Sequence, residues 1–165
     1  MDLKRMLRHL MIPTWQVKRR FPESLLAQVE SAIRASESAH RGEIGFAIEG
    51  GLDLPDLWRG VSPRQRALDA FATLGIWDTE ENTGVLVYIQ YADRAVEIVA
   101  DRGITRHVAP EEWQAICRAL EACFRESDYA KGCAEAVTAI GDLIAAHFPK
   151  TDGNPNELPN RPVIL

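Results

Sequence analysis

Runs of apolar residues set the frame of this chain. Val85–Gln90 is apolar almost throughout, as expected of a strand covered on both faces. Ala95–Ala100 repeats that character after the turn Tyr91-Ala92-Asp93-Arg94. A connection this short joins only antiparallel neighbours, so the two runs predict a β-hairpin. Upstream, Glu43–Glu49 alternates in part, with Ile44, Phe46 and Ile48 on one side and small residues between, and reads as a third strand. Its link to Val85 contains a helical stretch, which suits a right-handed parallel crossover.

Helical spacing accounts for most of the remainder. Asp2–Ile12 places Leu3, Met6, Leu7 and Leu10 on one side with basic residues between, until Pro13 stops the pattern. Pro22–Ala39 aligns Leu25, Leu26, Val29, Ala32 and Ile33, and Arg41-Gly42 ends it. Gly50–Gly60 reads as a loop rich in Gly, Pro and Asp. Ser62-Pro63-Arg64-Gln65 then has the form of a capping box with proline in the first turn, opening a helix through Ala67, Leu68, Phe71 and Leu74. Gly75 is a natural left-handed terminator. Pro110–Arg125 and Asp128–His147 are two further amphipathic helices. The tail Lys150–Leu165 holds three prolines and is expected to lack regular structure, although Val163-Ile164-Leu165 is apolar enough to dock.

The order is helix, helix, strand, helix, hairpin, helix, helix. It predicts an α/β fold, a three-layer α/β/α sandwich with a small mixed β-sheet. The expected divisions are a basic amphipathic arm (1–20), the α/β domain (21–149) and an irregular tail (150–165). No repeats are evident.

Composition changes this picture in one respect. The chain has 165 residues, 46% of them hydrophobic, and a net charge of −5, ordinary values for one globular domain. Residues 2–20 carry six basic side chains against Asp2 alone, about +5, while the rest carries 13 basic and 23 acidic groups, about −10. The arm therefore suits either the protein's own acidic body or an external membrane surface. The overall charge argues against nucleic-acid binding. No run is long enough for a transmembrane segment or a signal-peptide core, so the expected location is cytoplasmic.

The strand directions gather candidate chemistry at one sheet edge. If Glu43–Glu49 and Val85–Gln90 are parallel, their starts meet the end of Ala95–Ala100. That edge collects Glu43, Asp78, Glu80, Glu81, Asn82 and Asp101, oxygen ligands of the kind Ca2+ or Mg2+ takes. The alternative is that these are solvated loop carboxylates, with Asp78 and Thr79 as turn formers. Arg102 beside Asp101 either orients a phosphate bidentately or makes a surface ion pair. Gly-rich phosphate loops, Gly-x-Ser-x-Gly elbows and His-Glu-x-x-His motifs are absent. Cys117, Cys123 and Cys133 fall on helices without metal-site spacing and read as small buried hydrophobes. His40 and His147 sit at helix ends, where a basic group favours the helix dipole.

The stretch Ala67–Ile104 resembles the core of TPM domains, a family that includes a thylakoid acid phosphatase and bacterial membrane-tethered proteins. The carrying features are Ala67-x3-Phe71-x2-Leu74-Gly75-Ile76, then Asn82-Thr83-Gly84-Val85-Leu86-Val87-Tyr88, then Ile98-Val99-Ala100-Asp101-Arg102-Gly103-Ile104. The Trp113 helix, Phe124 before an acidic turn, His147-Phe148-Pro149 and Asn156-Glu157-Leu158-Pro159 agree in order, the last as in one soluble bacterial branch. The resemblance implies a central sheet between helices, with phosphatase activity and divalent-cation binding in some members. By position, Asn82 and Asp101 correspond to the loops flanking the family's proposed site. Phe21-Pro22-Glu23-Ser24 stands where TPM domains often have an Asp-rich segment. Two functions are expected from this. One is a non-catalytic binding or assembly module with a membrane-associated protein partner, in keeping with the missing nucleophile and the basic arm. The other is a divalent-cation-dependent phosphatase-like hydrolase, with Asp101 and Arg102 catalytic and Glu43, Asp78, Asn82 and Asp101 on Ca2+ or Mg2+.

Overall fold

The computed structural model describes residues 2–152 and 155–165. Its elements are α1 (Leu3–Leu10), α2 (Thr14–Arg20), α3 (Glu23–Glu37), β1 (Glu43–Glu49), α4 (Leu54–Trp58) and α5 (Pro63–Thr73). There follow β2 (Gly84–Gln90), β3 (Ala95–Ala100), α6 (Arg102–Thr105), α7 (Pro110–Arg125), α8 (Tyr129–His147) and β4 (Val163–Ile164). The sheet order is β3-β2-β1-β4. β1 runs parallel to β2 from Glu43 opposite Gly84 to Glu49 opposite Gln90, and the β2–β3 hairpin is antiparallel. This is the expected mixed sheet between helical layers.

Side-chain alternation assigns the layers. Ile44, Phe46 and Ile48 of β1 join Val85, Val87 and Ile89 of β2 in a core with α3, α7 and α8. Ala47, Leu86, Tyr88 and Val99 face the other way, onto Ala67 and Ala70 of α5 and onto Ile76. The small residues of β1 have a steric reason, because a Cβ on Gly45 would come within 2.5 Å of the Ile76 side chain. Ser62 caps α5 by accepting from the Gln65 N–H, and Gly75 ends it with φ +68°, as the sequence predicts.

Three expectations need correction, and one short helix was not expected. Gly50–Gly60 is not a plain loop: the Asp53 side chain accepts the Asp56 N–H at 3.0 Å and, with Pro55 in the first turn, starts α4. The segment Asp101-Arg102-Gly103 opens α6, capped by Asp101 itself. The tail is not wholly irregular, since Val163 and Ile164 pair in parallel with Ala47 and Ile48, and the Leu165 N–H donates to the Ile48 carbonyl. His40 is fully buried rather than set against a helix dipole. It accepts the Gly42 N–H on Nδ1, leaving Nε2 to donate to Ser36 Oγ, and burial lowers its pKa so that the ring stays neutral.

Both sheet edges are covered. β4 lies along β1. On β3, the Arg64 guanidinium donates to the Ile98 carbonyl and the Glu121 carboxylate accepts the Val96 N–H. Among the described residues no helix is long and apolar enough to cross a membrane.

The closest backbone approach in this frame is at Gly84, where a Cβ would sit 1.9 Å from the Ile76 carbonyl oxygen. Gly84→Ala is therefore expected to cost about 3 kcal/mol in urea unfolding, because backbone on both sides has to move. A loss below about 1 kcal/mol would show that the Ile76 loop yields without strain.

Candidate functional site

The strand starts and the end of β3 meet as the parallel pairing requires. The Glu43 N–H donates to the Thr83 carbonyl, and the Asp101 N–H to the Gly84 carbonyl. Asn82 turns the chain into β2 with φ 56°, a left-handed conformation that asparagine tolerates. Its carbonyl accepts the Gly103 N–H at 3.0 Å, an approach close enough that a Cβ on Gly103 would lie 2.4 Å from the same oxygen. Across this contact the Asn82 side-chain oxygen accepts from Arg102 Nε at 3.2 Å. Asp101 accepts the Arg102 N–H on Oδ1 at 2.6 Å, while its Oδ2 is buried without a hydrogen-bond partner among the described residues.

The sequence-derived residues therefore divide. Asn82, Asp101 and Arg102 come together. Asp78 is exposed in the loop after α5, where its N–H closes a turn on Gly75. The Glu43 carboxylate is buried and accepts the N–H groups of Glu157 and Leu158 at 3.1 and 3.3 Å, so it clasps the tail. Burial raises its pKa, with the two N–H bonds opposing. Among the described residues, no group of three or more His, Cys, Asp or Glu side chains is placed to hold a metal ion.

Glu37, at the end of α3, is the residue that sequence reasoning missed. Its carboxylate accepts the Ile44 N–H at 2.9 Å and the Asn160 side-chain amide. It borders a cleft of about 440 Å³ shared with Glu43, Lys150, Asn156 and Asn160. Burial pushes its pKa up to about 7; the Ile44 N–H pulls the other way and repulsion from Glu43 adds to the rise. The Asn and Pro pattern of the tail was the only signal available, and it does not say which carboxylates the tail meets.

The opposite end of the sheet is held by charge. Glu49, 7% exposed, receives a bidentate grip from Arg66, with Nη2 at 2.8 Å, and the Tyr88 hydroxyl donates to it. Gln90 donates to Tyr88 and accepts the Ala92 N–H, which carries the network into the hairpin turn. In that turn Asp93 binds Arg5 and Arg8, each at 2.7 Å. His9 Nε2 lies 3.0 Å from the same carboxylate, while its Nδ1 accepts the Leu52 N–H. Burial alone would raise the Asp93 pKa, but Arg5 and His9 outweigh it and hold the carboxyl at about 2. Two of the cysteines behave as apolar groups: burial pushes the Cys117 thiol up to about 11 and the Cys133 thiol up to about 12.

Known proteins share the family and the fold of this chain. The profile of the TPM domain matches residues 20–143. The BA42 protein of the psychrophilic bacterium Bizionia argentinensis has a similar NMR structure, with 26% identity, TM-score 0.72, and coverage of 86% of this chain and 93% of that one. The N-terminal domain of a P. gingivalis protein is 21% identical with TM-score 0.58, covering 74% of this chain and 76% of that one. The N-terminal domain of cg2496 from Corynebacterium glutamicum is 13% identical with TM-score 0.54, covering 78% and 77%. These last two show the fold alone. No curated protein matches the chain.

A raised carboxylate pKa has a defined sign in stability. Since the folded value of Glu37, about 7, exceeds its ordinary 4.5, its contribution is fully present below pH 4.5 and is lost as pH rises through 7. Tm is expected to fall across that window, and Glu37→Gln to flatten much of the fall. An unchanged pH slope in the variant would assign the effect elsewhere.

Proposed function

The chain belongs to the TPM domain family, and we propose that this member is a non-catalytic docking module that meets an anionic membrane surface through its N-terminal helices, beside a membrane-associated partner. One observation carries the reading: α1 is turned inside out. Arg5 and His9 point inward to Asp93, while Leu3, Leu7, Leu10 and Met11 are exposed. A helix packed only for its own domain would bury that apolar side.

The surroundings have interfacial character. The 51–61 segment packs against α1 through Leu52 and Val61, and it carries exposed Leu54 and Trp58; exposed Trp15 lies on α2. Lys4, Lys18, Arg19 and Arg59 are exposed on the same elements. Apolar and aromatic side chains flanked by basic ones suit the headgroup boundary of an anionic bilayer. Each large side chain removed from water contributes about 1.5–3 kcal/mol, so a few suffice for reversible attachment.

Co-sedimentation of the full chain with phosphatidylglycerol-containing vesicles tests this. Binding is expected, weaker with added salt, and reduced at least roughly tenfold by Leu7→Glu with Leu10→Glu. No vesicle binding, or equal binding by the double variant, would overturn the reading.

The second reading, a cation-dependent phosphatase-like hydrolase, is favoured by the orphaned Asp101 Oδ2 beside Asn82 and Arg102. Asp101 and Asn82 offer oxygen ligands for Ca2+ or Mg2+, and Arg102 a phosphate partner. A bound cation would supply Lewis-acid polarisation of a phosphoryl oxygen. On this reading p-nitrophenyl phosphate is hydrolysed with Ca2+ or Mg2+, and Asp101→Ala abolishes turnover. On the docking reading there is no turnover to lose.

A further inference from the structure

We infer that the cleft between α2, the hairpin turn and the α7–α8 turn is a binding site for a small organic anion carrying a flat ring. The cleft has a volume of about 470 Å³, within the usual range for small-molecule sites. It opens beyond the carboxyl ends of β1 and β2, where Gln90 and Ala92 line it. In open α/β sheets that end is where ligands sit. It is the opposite end from Asn82 and Asp101.

Its charge runs against that of the molecule. Arg8, Arg20, Arg94 and Arg125 line it, in a chain of net charge −5. Arg8 is paired with Asp93, which it shares with Arg5, but among the described residues Arg20, Arg94 and Arg125 have no carboxylate partner. The one acid in the wall, Glu121, is committed to the Val96 N–H at 3.0 Å. Three unneutralised guanidiniums around one cavity repel one another, and an entering phosphate or carboxylate relieves that cost.

The walls fix the rest of the ligand. Tyr91, Phe124 and Tyr129 line the cleft, Phe124 and Tyr129 being stacked 4.8 Å apart, and the Arg20 guanidinium lies 5.9 Å from the Tyr129 ring centre. Aromatic side chains beside guanidiniums suit a planar body with a charged end. The two turns that bring Arg94 and Ser127 to the rim hold both residues at positive φ, 54° and 63°. Such backbone is disfavoured for a residue with a Cβ and persists where the surroundings demand it.

Titration of the full chain, followed by calorimetry and amide NMR shifts, decides the matter. The probes are AMP, adenosine, inorganic phosphate, indole-3-acetate and acetate. AMP is expected to bind at least tenfold tighter than adenosine or inorganic phosphate, or indole-3-acetate tenfold tighter than acetate. Which pair responds identifies phosphate or carboxylate as the anionic group. Shifts should centre on Ala92, Arg94 and Ser127. Arg94→Gln and Arg125→Gln, both at exposed positions, should each weaken binding about tenfold with the circular dichroism spectrum unchanged. Leu7→Glu with Leu10→Glu should leave it intact, which separates this site from membrane docking. The assignment fails if neither ring-bearing anion outbinds its ring-free counterpart. It also fails if the shifts map elsewhere, or if the arginine variants bind normally.

Discussion

The parallel pairing of β1 with β2 is the constraint on which the rest of the molecule depends. Both strands are buried along their whole length, yet β1 begins and ends with glutamate. A buried carboxylate without partners costs several kcal/mol, so each end of β1 requires a particular neighbour. At Glu49 that neighbour is Arg66 on α5, supported by Tyr88. At Glu43 it is the backbone of the tail. Helix placement on one face and tail placement at the edge are thereby tied to two ionisable side chains. The burial of Tyr88, and its bond to Glu49, raise the phenol pKa and keep it a donor.

Much of the frame was legible in the sequence because its signals are local. Strand bounds at Glu43–Glu49 and Ala95–Ala100 followed from apolar runs, and α5 from Ser62, Pro63 and Gly75. The short elements α2, α4, α6 and β4 were not legible. Isolated helices of this length do not form on propensity, and they exist here because tertiary contacts hold them. For α1 the period was clear, but periodicity tells which side is apolar and not which side faces the core. Asp93, more than eighty residues away, makes that choice.

Site legibility followed the same rule. Strand direction was enough to bring Asn82 and Asp101 into one place. It could not orient the Glu43 side chain, since a strand buried on both faces gives no polar side to read. The meeting of Glu37 with Asn160 spans the length of the domain, and no pattern within either segment encodes it. The arginine cleft was hidden for another reason: its members come from four separate elements, each unremarkable in composition alone.

The two covered sheet edges have a consequence for behaviour at high concentration. A flat apolar strand with free N–H and C=O groups is a template on which a second chain can add. Here the Arg64 and Glu121 side chains occupy backbone groups on β3, and two residues of the tail close β1. The second cover is the thinner one, a strand of two residues. Proteolytic trimming near Leu158 would bare the edge of a strand as apolar as β1, so the C-terminal residues guard the protein against polymerising through its own sheet.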